Sequence, residues 1–148
     1  MHQSAFPFIQ QAWRAGVLHL KFVMAATVLI VDDNPDIRNV LASYLYRSGH
    51  QVLEAANGAM AIQRATAESP NFVLLDLYLP DMNGLEVART LRKTPVTQHI
   101  PIAGWTVDCR ATMYREALAA GYIDFCLDKP VSVAVIEALV EQHAKQEC

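Results

Sequence analysis

From Thr27 onward the chain alternates between two kinds of apolar pattern. Short continuous runs, "TVLIV" at 27–31, "FVLLD" at 72–76 and "IPIAGWT" at 100–106, have the length and β-branched content of buried strands. Between them lie longer stretches whose apolar positions recur every three or four residues. The first of these, "IRNVLASYLYRSG", spaces Ile37, Leu41 and Leu45 as one helical face and stops at Gly49. Ahead of it stands the polar stop "DDNPD", where Asn34 suits a helix cap and Pro35 the first turn. "QVLEA" at 51–55 reads as a weak second strand, and "GAMAIQRATAE" at 58–68 as an alanine-rich helix. "GLEVARTLRK" at 84–93, "CRATMYREALAAG" at 109–121 and "VSVAVIEALVEQHAK" at 131–145 give three more helices, with "DFCL" at 124–127 as a fifth strand.

Five strand–helix units in strict alternation predict a parallel sheet covered on both faces. Right-handed crossovers then make it a doubly wound α/β sandwich of five strands and five helices. Leu91, Met113 and Leu118 are expected in its core. The domain is expected over residues 27–145, after an N-terminal extension of residues 1–26. In that extension Ile9, Trp13, Val17 and Leu20 fall near helical spacing, while Arg14, His19 and Lys21 interrupt any secretory signal core. Met24 stands just before the first strand. Two readings stay open: a docking or dimerisation helix, or an upstream start codon ahead of a working protein that begins at Met24.

Composition narrows the function. Of the 148 residues 53% are hydrophobic and 18% charged, which is globular and rules out a disordered chain. A net charge of −3 with no Lys/Arg cluster argues against nucleic-acid binding by the domain. No apolar run approaches the ~18 residues of a membrane span. The three cysteines, Cys109, Cys126 and Cys148, are scattered without CxxC spacing. They are expected as unpaired core or surface residues, with no disulfide framework and no zinc site, as fits a reducing cytoplasm. The five histidines form no HExxH pair.

Chemistry concentrates at the strand exits. In sheets of this kind, sites form at the carboxyl ends of the strands. The first strand exits on Asp32 and Asp33, the third on Asp76, the fourth on Thr106, and the fifth on Asp128 and Lys129, followed by Pro130. Clustered carboxylates repel unless a cation joins them, and hard oxygens select Mg²⁺ or a similar ion. A metal, a lysine and a hydroxyl around one carboxylate would hold the equatorial oxygens of a transferring phosphoryl group. The central carboxylate, Asp76, would be the nucleophile.

"VLIVDDNPDIR", "LLDLYLPDMNG", "PIAGWT" and "DKP" together resemble the receiver domain of two-component response regulators, over about Thr27 to Lys145. The resemblance implies a flavodoxin-like (βα)5 sandwich. It implies that Asp76 is the phosphoacceptor, that Asp33 ligates Mg²⁺ directly with Asp32 beside it, and that the backbone carbonyl of Tyr78 completes the metal position. It makes Thr106 the switch hydroxyl, Lys129 the lysine that pairs with the phosphoryl group, and the Lys129–Pro130 bond cis. Pro80 and Gly84 match the turn after Asp76. The implied donor is a phosphohistidine on a sensor histidine kinase or a histidine phosphotransfer protein. The expected unit is a stand-alone cytoplasmic switch, a monomer or weak homodimer, signalling by protein binding or phosphorelay to an unknown downstream protein, with no membrane or nucleic-acid partner. Its output face would include Tyr114, Leu118, Phe125 and Val135.

Three features depart from the family pattern. One residue more than usual lies between Gly121 and Lys129, so Cys126 occupies the slot of a common aromatic and Phe125 falls one position earlier. Either the strand start bulges or the aromatic switch is absent. Trp105 and Val107 flank Thr106, and Val107 would narrow access to the phosphoryl group. Tyr78, two residues after Asp76, would shield an acyl phosphate from water. Two rival functions remain. A phosphohydrolase of the haloacid dehalogenase type needs a second acid where Tyr78 stands, and an unphosphorylated scaffold would not need the complete set of polar exits.

Overall fold

The computed structural model describes residues 25–144. The expected extension of residues 1–26 therefore lies almost wholly outside the described residues. Five strands, β1 (Thr27–Val31), β2 (Gln51–Ala55), β3 (Phe72–Asp76), β4 (Ile102–Thr106) and β5 (Phe125–Asp128), form one parallel sheet in the order β2-β1-β3-β4-β5. Helices α1 (Pro35–Arg47), α2 (Gly58–Glu68), α3 (Gly84–Lys93), α4 (Thr112–Ala119) and α5 (Val133–His143) alternate with them. This is the predicted doubly wound sandwich.

The central strands are apolar on both faces because both faces are covered. Every residue of β3 and β4 is buried. Leu29, Val31, Val73 and Leu75 pack with α2, α3 and α4 in one core. Val28, Ile30, Phe72 and Leu74 pack with α1 and α5 in the other. Strand alternation thus splits each strand between two cores.

Local chemistry sets the ends. Asn34 caps α1, its side chain accepting from the N–H groups of Asp36 and Ile37, and Gly49 follows with φ of +91°. The strand at 100–106 begins two residues later than expected, because Pro101 has no N–H to give the ladder. Helix α4 begins at Thr112, not Cys109: the Asp108 carboxylate takes the Arg110 N–H at 2.9 Å and holds a turn there. Only Ala117 of α4 is buried. Leu91 is core as expected, but Met113 and Leu118 are exposed, since an eight-residue helix lies only lightly on the sheet. No helix among the described residues is long and apolar enough to cross a membrane.

Candidate phosphoacceptor site

Strand order reverses direction between β1 and β3, and a crevice opens where their exits diverge. A cleft of about 320 Å³ lies there, lined by Asp32, Asp33, Asn34, Ile37, Asp76, Tyr78, Thr106, Val107 and Lys129. All the side chains expected to work together do meet in this cleft.

Asp76 ends the fully buried β3 and is 4% exposed. The Tyr78 N–H donates to its Oδ1 at 2.9 Å, and Lys129 Nζ donates to its Oδ2 at 3.0 Å. Burial pushes the Asp76 carboxyl above its ordinary pKa, and the Asp32 charge adds to the rise; the Tyr78 N–H and Lys129 pull it back. Asp32 is buried at 1% exposure, 3.4 Å from Lys129 Nζ, while Asp33 is exposed. Oxygens of Asp32, Asp33 and Asp76 lie within 4.8 Å of one another. One lysine against three converging carboxylates leaves negative charge in a partly dry cleft, and a hard divalent cation fits that donor set.

Position in the cleft is enforced by backbone packing. A Cβ on Gly84 would lie 2.5 Å from both the Asp76 carbonyl oxygen and the Leu77 Cα. Only glycine lets the start of α3 press against the exit of β3. The loop between them is pinned elsewhere too: Asp81 accepts from the N–H groups of Gly58 and Ala59 at 2.8 and 3.0 Å. Those bonds hold its carboxyl below the usual range. From this loop, Asp81 thus caps the start of α2.

Two further residues, Arg38 and Trp105, serve the site in ways the sequence does not signal. Arg38 Nη1 donates to the Asp32 carbonyl at 2.7 Å while its Nε pairs with Glu54 at 3.1 Å. Trp105 lies under Lys129, the ammonium 4.7 Å from the ring centroid. The Lys129 N–H donates to the Thr106 carbonyl at 2.7 Å, locking the two exits together, and the Lys129–Pro130 bond is cis as the resemblance implies. Tyr78 and Val107 are 84% and 79% exposed and stand at the rim.

The residues matched are those of one family. The model of the response regulator receiver domain matches residues 28–141. The chain belongs to the response regulator receiver family. It is 42% identical to Protein PilH of Pseudomonas aeruginosa over 106 residues, covering 72% of this chain and 87% of PilH. The chemotaxis protein CheY4 of Vibrio cholerae superposes with a TM-score of 0.74 at 26% identity, over 81% of this chain and 99% of that one. The receiver domain of the sensor histidine kinase PA1611 from Pseudomonas aeruginosa superposes with a TM-score of 0.72 at 25% identity, over 81% and 98%; it holds a magnesium ion in its active-site cleft. Phosphoryl acceptance is general for receivers.

The receiver's far side decides one open alternative and corrects one expectation. Strand β5 pairs with β4 in regular register, Ala103 with Phe125 and Gly104 with Cys126, so no bulge rotates Phe125 into the aromatic slot. Phe125 faces the α1/α5 core, its ring 4.7 Å from that of His143, and therefore lies across the sheet from Tyr114. The aromatic switch is absent. In its slot Cys126 is joined to Cys109 by a disulfide. The two were expected unpaired. The turn after β4 folds back over β5 and brings their Cα atoms to 5.8 Å, well within bridging distance.

Proposed function

We propose that this receiver is a phosphorylation switch whose acceptor is Asp76. The carrying observation is the Asp76 carboxylate itself: it sits on a rigid buried strand, each oxygen is held by a donor, and two further acids lie beside it. An Asp76 oxygen attacks the phosphorus of a phosphohistidine in line. The new P–O bond forms as the P–N bond breaks, and the histidine leaves to take up a proton. Lys129 stays paired with the acidic centre and binds the transferred oxygens, and Thr106 donates its hydroxyl to them. Magnesium, with Asp33, Asp76 and the Tyr78 carbonyl as ligands and Asp32 beside them, would neutralise charge on the transferring group.

The donor is a sensor histidine kinase or a histidine phosphotransfer protein. The output is phosphorylation-dependent binding to a downstream protein, or onward relay, in the cytoplasm. A match that runs over 87% of PilH supports reading the chain as a stand-alone unit. The catalysis is self-directed, with no turnover of a separate substrate. Incubation with acetyl phosphate tests the reading: labelling should require Mg²⁺ and vanish in Asp76→Asn. Labelling that survives chelation or the substitution would overturn it.

A further inference from the structure

We propose that Cys109 and Cys126 form a reversible thiol–disulfide site that gates the receiver's response. The inference rests on the phosphorylation reading above. Three observations carry it. The pair closes a ring 17 residues apart in sequence that contains the whole of α4. Cys109 lies three residues after Thr106, on the turn that must follow any shift of that hydroxyl towards Asp76. Cys126 lies on the Gly104 and Thr106 face of the sheet, in the slot where an aromatic ring would otherwise respond.

A second tie acts on the same turn, the Cys109 N–H donating to Asp128 at 2.7 Å. Asp128 itself pairs in register with Thr106. With the disulfide closed, the turn after Thr106 is fastened to β5 both covalently and by this hydrogen bond. With it open, only the hydrogen bond remains. Both cysteines are half-buried, so a dithiol has access to them. A dithiol thiolate attacks one sulfur and the Cys109–Cys126 bond breaks through a mixed disulfide. The second thiol of the reductant then displaces the remaining cysteine. Two electrons and two protons pass to the protein as two thiols, and the reductant leaves as a disulfide. A disulfide oxidant reverses the step. In a compartment that keeps thiols reduced, such a pair is transient and sensory.

Because binding coupling is reciprocal, a bridge that resists phosphorylation is itself weakened by it. The test compares fully oxidised protein with protein reduced by dithiothreitol, the state of Cys109 and Cys126 read by alkylation and mass. Each form receives acetyl phosphate and Mg²⁺, and the initial labelling rate is measured. Reduction should raise the rate severalfold. Cys109→Ser and Cys126→Ser should each label at the reduced rate and ignore dithiothreitol. Equal labelling of both forms would overturn the gate while leaving Asp76 as acceptor. Thiols that stay alkylatable after oxidation would overturn the bridge, also with labelling intact. Failure of every form to label would instead remove the phosphorylation reading, and this inference with it.

Discussion

The acidic cleft and the β4–α4 turn are neighbours with opposite characters. In the cleft, Asp76 ends a buried strand, and Asp32, Asp76 and Lys129 are held by a backbone donor and by one another. Across Thr106 the turn and α4 are mostly exposed, the aromatic slot holds Cys126, and a disulfide replaces ring packing. One region must present fixed charge to a phosphorus atom. The other must pass on that something has happened. Fixed charge tolerates few arrangements of residues, whereas a response can be coupled through packing or through a covalent tie.

This contrast can be sharpened by substitution. Removing the lysine should hurt most. Lys129→Ala takes away an ammonium that reaches both buried carboxylates, and the labelling rate should fall about 10²-fold, the usual effect of losing one preorganised donor. An unchanged rate would mean that the cleft is not organised around that charge. Gly84→Ala comes next. Its Cβ meets backbone rather than a flexible side chain, so urea denaturation should show a loss towards the upper end of the about 1–3 kcal/mol typical of overpacking. Labelling should fall as well, because Asp76 is displaced with its own carbonyl.

Trp105→Leu should act more gently. It removes the ring under Lys129 but keeps apolar bulk, at a cost of about 1 kcal/mol from the lost cation–π contact. The labelling rate should drop severalfold, and Trp105→Phe should restore much of it. The smallest effect is Asp81→Ala. Since the folded-state pKa of Asp81 is depressed by the Gly58 and Ala59 N–H groups, its contribution is present above the unfolded value, roughly 4, and is lost as pH falls through the folded pKa. The variant should therefore be less stable than the natural chain near neutral pH, and the difference should close in acid. A gap that persists in acid would show that the carboxylate charge is not what caps α2.

Much of the fold was legible because each strand is a compact apolar run and each helix carries its own stop. Asn34, Pro35 and Gly49 mark α1 in the sequence as they do in space. The chemical residues were legible for a related reason: a polar side chain directly after a buried strand is delivered to a known edge of the sheet. What was hidden depends on pairing across distance. Asp81 reaches Gly58 over 23 residues, Arg38 finds the Asp32 carbonyl from the next helix, and Trp105 meets Lys129 through a ring no spacing rule anticipates. The disulfide belongs with these, since neither cysteine has a partner at any recognisable interval. Met113 and Leu118 misled because apolar spacing shows a helical face without showing how deeply a short helix sinks.

The central claim is that Asp76, and no other acid in the cleft, takes the phosphoryl group. An acyl phosphate is reduced by borohydride, which converts the modified aspartate to homoserine. Protein treated with acetyl phosphate and Mg²⁺, reduced in this way, digested and read by mass should carry the change in the peptide containing Phe72–Asp76, at Asp76 alone. Homoserine at Asp32 or Asp33, or label that leaves every aspartate unchanged, would contradict the account.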